Sequence, residues 1–490
     1  MSLRRQISNL ARHSAIYAIS TAMQRLPGLL LIPIYTNFDY IPSTSDFSNY
    51  VLVYTFIAFM NFFYLLGLDS AMMRYFFLDN QDRKSVFSAT FWMLLVTCSA
   101  MSAVIWLMDE QLAALLMDDP TQVGLIHIAA IIPLVDAYAN LAYNVLRAEE
   151  KSIQFTLFKS LRFLLELGLN VLFVVVLKYG VPGIFYTSLG AALINLLVML
   201  PVLFRYLRPK IDWQLAKSLL AFGLPLLPNG IAFMTIELVD NFLVKSLLSK
   251  EAVAVYRANY RFGAILLMLV TAFRNAWQPF FLKIANKPDA RDVYARVFTY
   301  YVTSIGLFTL VVSFFIGDLL TFPFFGEYYI LSEKAYWAGT PIIPIILLSY
   351  YFFGIYVILT PGFYIRKKTQ YMIIFTGTGA AVNILANLWL LPLLNSFWGA
   401  AWSTLFSYLA MTIAIYLFAN RIYPLKIEWG RVSRMLLLIA AAFAIFYLLQ
   451  PGFGWRILLM TVAVFYCIFG ILNHRERQLA VGFLKRQRSS

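Results

Sequence analysis

Charge and metal-binding chemistry are what this sequence has least of. Only 13% of its 490 residues are charged, against about 25% in a soluble domain. The two cysteines, Cys98 and Cys467, both lie in apolar runs, which excludes a disulfide framework. The three histidines, His13, His127 and His474, are too scattered to ligate one metal. No phosphate-loop signature occurs. The glycines of Thr376-Gly377-Thr378-Gly379 fall in an apolar run with no strand before them, so they are expected to serve close helix packing. No nucleophile and base stand together, so no catalytic residue is assigned and neither a metal nor a cofactor is expected. Acids are few beside bases, 24 against 39, and the net charge is +15. The bases sit in short loops between apolar runs, which argues for membrane topology and against nucleic acid.

Apolar sequence is what the chain has in abundance: 61% of its residues are hydrophobic. Runs of about 20 such residues recur throughout, and only helices or closed barrels satisfy their own backbone in hydrocarbon. The expected fold is an all-α polytopic membrane protein with about fourteen spans. They fall near 14–36, 47–67, 85–108, 121–144, 153–177, 181–204, 218–247, 252–282, 296–317, 338–360, 370–391, 397–419, 432–449 and 454–472. Arg4, Arg5 and Arg12 precede the first run without a small-residue cleavage site after it, so an uncleaved span is expected there.

Loops alternate in charge. One side carries Arg74, Arg83, Lys84, Arg147, Lys151, Arg205, Arg208, Lys283, Lys287, Arg291, Arg366, Lys367, Lys368, Arg421 and Arg431. The other side has only Lys178, Lys245, Lys250, Lys334 and Arg456, and it gathers Asp39, Asp46, Asp109, Glu110, Asp118, Asp119, Asp318, Glu327 and Glu333. The positive-inside rule puts both termini in the cytoplasm. The basic tail 474–490 is expected on the anionic inner leaflet.

A short repeat spans six helices. Asn170-Val171-Leu172 followed by Gly183-Ile184-Phe185-Tyr186-Thr187-Ser188-Leu189 parallels Asn383-Ile384-Leu385 followed by Gly399-Ala400-Ala401-Trp402-Ser403-Thr404-Leu405. Both copies run in the same direction, which implies two six-helix bundles related by a pseudo-two-fold along the membrane normal. The expected units are 1–204, a linker 205–217, a second bundle 218–420, two additional helices 421–473 and the tail.

Spans seven and eight carry Glu237, Asp240, Arg257, Arg261 and Arg274. An ionised side chain in mid-bilayer costs about 2.5–3.5 kcal/mol on insertion scales, so these groups must face protein or water. Asp240 lies about 9–11 Å inside the outer end of its span, with Glu237 one turn deeper. Arg257 and Arg261 reach similar depths on the next span, so acid and base are expected to match in two layers, as an outer gate or an ion-coupling site. Arg25, in Gln24-Arg25-Leu26-Pro27-Gly28, has no acid in its own span and is expected to bind an anion such as phosphate, with Asp136 the alternative partner. Arg274 and Arg74 lie near the basic side, at the mouth of a cavity or snorkelling to the interface. Lys159, Arg162 and Glu166 have the spacing of a local ion-pair cluster, and His127 is expected to be a hydrogen-bonded packing residue.

Leu220-Ala221-Phe222-Gly223-Leu224-Pro225-Leu226-Leu227-Pro228, Asp240, Ala254-Val255-Tyr256-Arg257 and Ala276-Trp277-Gln278-Pro279-Phe280 together resemble the polysaccharide flippases of O-antigen type, in the multidrug/oligosaccharidyl-lipid/polysaccharide exporter superfamily. Gly67-Leu68-Asp69-Ser70-Ala71-Met72-Met73-Arg74-Tyr75 resembles the end of their second span, and Arg366-Lys367-Lys368-Thr369 also fits. The chain departs from the family pattern at Asn241 and Ala254. The resemblance implies a bacterial inner-membrane transporter. It would move an undecaprenyl-pyrophosphate-linked oligosaccharide to the outer leaflet by alternating access, for surface polysaccharide and lipopolysaccharide assembly. A glycan polymerase and assembly proteins are implied as partners. A cation-coupled drug antiporter of the same superfamily is the alternative, but it is expected to have an unpaired acidic cavity with few arginines. A membrane glycan polymerase or ligase is expected to carry a large outer loop.

Overall fold

The computed structural model describes residues 27–78, 82–324, 326, 328–366, 368–471, 473 and 476. Among them every regular element is a helix, and the sole strand-like feature is an isolated bridge between Phe324 and Tyr328. Among the described residues, twelve helices are long and apolar enough to cross a membrane. The expected span one lies largely outside the described residues. The expected span five is helical over Ser152–Asn170 and continues as a π-turn over Val171–Val176, but it carries Lys159, Arg162 and Glu166. Such a charged helix is tolerated where neighbouring helices supply its partners.

The helices pack in two groups. In the first, Val123–Ala148 lies between Thr44–Leu65, Arg83–Leu107 and Gly180–Tyr206. In the second, Met372–Leu394 packs on Leu227–Leu247 and Trp398–Ile422, and Ile343–Ile358 packs on Trp398–Ile422, Ala290–Thr321 and Ile265–Ile284. Ile343–Ile358 is mostly apolar and has buried residues all round, as expected of a core helix with no lipid face. Trp429–Leu449 and Phe453–Tyr466 attach to the side of Ala290–Thr321. Thr44–Leu65 also touches Leu227–Leu247 and Lys250–Gly263, and so joins the two groups.

The repeated sequence marks a repeated contact. A Cβ on Gly183 would lie 3.0 Å from the Phe173 carbonyl, and one on Gly399 would lie 2.7 Å from the Leu391 nitrogen. In each copy the glycine lets a span press against the backbone of the span before it. Four residues on, Thr187 and Ser403 each donate a hydroxyl proton to that glycine's carbonyl, at 2.9 and 2.8 Å.

Three elements differ from expectation. Within the linker 205–217, Gly180–Tyr206 ends at the second residue, 207–212 are non-helical, and Asp212 caps the next helix by accepting from the Gln214 and Leu215 amides. Span seven therefore starts at Trp213, and Leu224–Leu226 forms a 3₁₀ turn where Pro225 and Pro228 interrupt the helix. Span eight divides at Gly263–Ala264 into Lys250–Gly263 and Ile265–Ile284, where Gly263 presses against Ile346.

Candidate functional site

The two acids of span seven are buried. The Asp240 carboxyl accepts from the Tyr256 hydroxyl at 2.7 Å, from Thr404 at 2.8 Å and from the Asn387 amide at 2.8 Å. The Glu237 carboxyl accepts from the Tyr350 hydroxyl at 2.8 Å and from Tyr408. Tyr260 and Tyr350 share a hydrogen bond at 2.8 Å, which joins span eight to the same network. The donors thus come from spans eight, ten, eleven and twelve, all on the side of the second group.

This arrangement corrects the expected matching of acid to base. Among the described residues, no ion pair links Glu237 or Asp240 to Arg257 or Arg261. One residue is about 100° of helix rotation. The face of Lys250–Gly263 that meets the acids therefore carries Tyr256 and Tyr260, and the arginines one position on turn away. Arg257 lies 4.5 Å over the Tyr260 ring and donates to the Glu237 main-chain carbonyl at 3.4 Å. Arg261 crosses to the first group: it donates to the Tyr50 hydroxyl at 2.8 Å and to the Gly28 carbonyl at 3.2 Å, with the Tyr50 ring 5.3 Å away. It is half-buried and meets no carboxylate among the described residues.

Beside these groups, on the side of the basic loops, two adjoining cavities lie between spans two, seven, eight, ten and eleven. One holds about 360 Å³ and is lined by Arg274, Gln278, Asn229, Thr376, Tyr356 and Tyr364, among others. The other holds about 780 Å³, shares Phe62, Asn229 and Gly230 with it, and reaches Asp69. Thr376 donates to Asn229 at 2.8 Å in the shared wall. Arg274 is exposed into the first cavity. Arg74 lies at the same end, exposed, 4.5 Å over the Phe222 ring.

On the acid-rich side the described residues of the two groups touch each other. Lys245 binds Asp118 at 2.6 Å and the Leu115 carbonyl at 2.5 Å, and Lys250 approaches the same Asp118 at 3.8 Å. Ser332 donates to the Thr36 hydroxyl from its amide at 3.2 Å and to the Pro33 carbonyl from its hydroxyl at 2.7 Å. Asn241, one of the departures from the family pattern, donates to the Thr55 hydroxyl at 2.7 Å across the two groups.

Arg25 lies outside the described residues, as do His13, His474 and nearly all of the basic tail. Asp136, the alternative partner for Arg25, pairs with Arg162 at 3.1 Å. Arg162 also pairs with Glu166 at 2.8 Å, as the spacing suggested. Lys159 lies 3.9 Å over the Tyr143 ring. His127 bonds Asp109 at 2.7 Å, as a hydrogen-bonded residue should, and its ring lies tilted 5.4 Å from Trp106, partly exposed. The tyrosine, asparagine and threonine partners of the acids were missed in the sequence. Asn383 and Asn387, one turn apart in an apolar span, were the available signal.

A family model described as "Polysaccharide biosynthesis protein" matches residues 41–333, more than half of the chain. The chain belongs to that family. No curated protein sequence matches it significantly. Among solved structures, this family member is similar to "Lipid II flippase MurJ, inward closed conformation", with a TM-score of 0.73 and 16% identity over 92% of this chain and 98% of that one. It is similar to an inward-facing multidrug resistance MATE family transporter of the MOP superfamily, with a TM-score of 0.60 and 13% identity over 86% and 99% of the two chains. A MOP superfamily transporter from Pyrococcus furiosus is similar at a TM-score of 0.58 and 14% identity over 86% and 96%. These likenesses show a shared fold.

Proposed function

We propose that this protein is a flippase. It moves a lipid-linked, undecaprenyl-pyrophosphate-type oligosaccharide across the plasma membrane by alternating access, for surface polysaccharide assembly of the O-antigen kind. The observation that carries this reading is Arg261, a membrane-embedded guanidinium held between the two helix groups with no carboxylate partner among the described residues. A guanidinium there favours an anion, and pyrophosphate fits its forked donors. The family membership agrees with a glycan substrate. The cavities toward the basic loops offer what a sugar chain uses: Arg274, Gln278, Asn229 and the faces of Tyr356 and Tyr364.

In this reading Arg25, Arg257, Arg261, Arg274 and Arg74 bind the substrate head. Asp240 and Glu237 couple an ion or gate the outer side. The lobes 1–204 and 218–420 rock about the linker, with 421–473 to one side and both termini in the cytoplasm. The drug-antiporter alternative wants acids facing the hollow, yet the span-seven acids are occupied by hydroxyl and amide donors. The protein performs no bond chemistry in this reading, and a glycan polymerase and assembly proteins act on what it delivers. Arg25→Ala and Arg261→Ala are expected to abolish surface-glycan assembly while the protein stays inserted, with lipid-linked glycan accumulating on the inner leaflet. Normal glycan display in both variants removes the arginines from the mechanism.

A further inference from the structure

A separate pocket lies on the acid-rich side, away from the cavities above, among spans nine, ten, twelve, thirteen and fourteen. It holds about 440 Å³. Its wall on Ala290–Thr321 is a stripe of small residues one turn apart, Ser313, Gly317 and Thr321. Small size alone would mean nothing more than close packing. Two further observations point to a ligand. Ser313 is 2% exposed, and its hydroxyl has no hydrogen-bond partner among the described residues, which is costly for a buried donor left unsatisfied. A Cβ built on Gly317 meets nothing within 4 Å, so the glycine looks into open space where helix packing would leave none.

The charge in this pocket is balanced. Arg456 grips Asp318 through two nitrogens, Nη1 to Oδ2 at 2.7 Å and Nη2 to Oδ1 at 3.0 Å, and Nη1 also donates to the Phe314 carbonyl at 2.8 Å. The third nitrogen, Nε, has no hydrogen-bond partner among the described residues. Asp318 keeps 42% of its side chain exposed; its Oδ2 is a buried atom, so Oδ1 is the oxygen with a lone pair left for another donor. Trp398 and Tyr447 form an edge-to-face pair in the same wall, with ring centroids 5.8 Å apart. Ser313 lies about 12 Å below the helix end at Thr321, and Arg456 is in the first turn of Phe453–Tyr466. The pocket thus sits at the depth of lipid headgroups and upper acyl chains.

We propose that this pocket binds the zwitterionic phospho-amine headgroup of a membrane phospholipid. The phosphate accepts from Arg456 Nε and the Ser313 hydroxyl, and the ammonium rests on Asp318 beside the Trp398 and Tyr447 rings. A neutral ion pair offers partners to both ends of a zwitterion. An anionic headgroup would add an unbalanced charge to a site whose charges already cancel. Water could satisfy Ser313 but would not explain the paired charge and the aromatic wall together.

The test is native mass spectrometry of the full-length chain in detergent, with phosphatidylethanolamine, phosphatidylcholine or phosphatidylglycerol added at equal concentration. The wild type is expected to retain one zwitterionic lipid, at least about tenfold more than phosphatidylglycerol, a difference of about 1.4 kcal/mol. Preference for the ethanolamine lipid assigns the amine to hydrogen bonds on Asp318, and preference for the choline lipid assigns it to the rings. Gly317→Leu fills the pocket without touching the ion pair and is expected to lose the retained lipid, whereas Gly317→Ala keeps it. Equal retention of all three lipids by the wild type overturns the proposal without any variant. So does retention unchanged in a Gly317→Leu protein that elutes as a single species.

Discussion

A carboxyl at the depth of Asp240 is tolerated in hydrocarbon only when its oxygens are satisfied by fixed donors. Three side chains from three helices supply them, and none is dispensable in a dry setting. Thr404→Val removes one donor at nearly constant volume and is expected to cost about 1–3 kcal/mol. Thermal unfolding in detergent measures this, and Thr404→Ser should restore most of the loss. Outside the membrane-spanning segments, Asp109 is held below the ordinary carboxylate range, first by its bond with His127 and then by the Glu110 amide. A lowered value in the folded chain means the contact stabilises above the unfolded carboxylate range and is lost as pH falls through the folded value. His127→Gln is expected to flatten this acid-side dependence, read as the change in unfolding midpoint between neutral and acid pH. Asp240, Glu237, Arg257 and Arg261 stood out in the sequence as charges within apolar spans. Their partners did not, because a face assignment off by one residue turns a helix by about 100° and exchanges Arg257 for Tyr256.

Elements here bend where proline or glycine permits, and the bends place the site. Gly67 has a positive φ of +68°, just past the end of Thr44–Leu65, and its α-carbon region abuts the Gly223 backbone. Spans two and seven can therefore approach closely at the end nearer the basic loops. Gly67→Ala would combine the strain of a left-handed conformation with overlap on Gly223, a loss expected at about 1–3 kcal/mol. The check is a lower thermal midpoint for Gly67→Ala than for Gly28→Ala, where a Cβ meets nothing within 4 Å. The Leu224-Pro225-Leu226 motif announced a disturbance in span seven. The division of span eight at Gly263 was less visible, because Gly263 is fixed by Ile346, far away in sequence.

At the scale of the whole molecule, the described residues of the two helix groups bond to each other on the acid-rich side and line cavities on the basic side. Such an arrangement is one half of an alternating-access cycle under the proposed function. Thr36→Cys with Ser332→Cys is expected to cross-link under oxidation, since these residues touch on the acid-rich side. The native cysteines Cys98 and Cys467 are buried and should contribute little background. The linked protein is expected to lose glycan export and to recover it on reduction. Export that continues in fully linked protein would show that this contact does not open during transport.

The sequence by itself determined the helical membrane fold, most of the span order and the parallel repeat, because hydrocarbon leaves the backbone few choices and apolar length is written locally. It also exposed the costly charges, since each stands out against an apolar background. Only the tertiary structure decided which group meets which: Tyr256 on Asp240, Tyr350 and Tyr408 on Glu237, Arg261 on Tyr50. Those pairs join residues up to 211 positions apart, and their meeting depends on helix rotation and tilt set by packing, which no local pattern encodes.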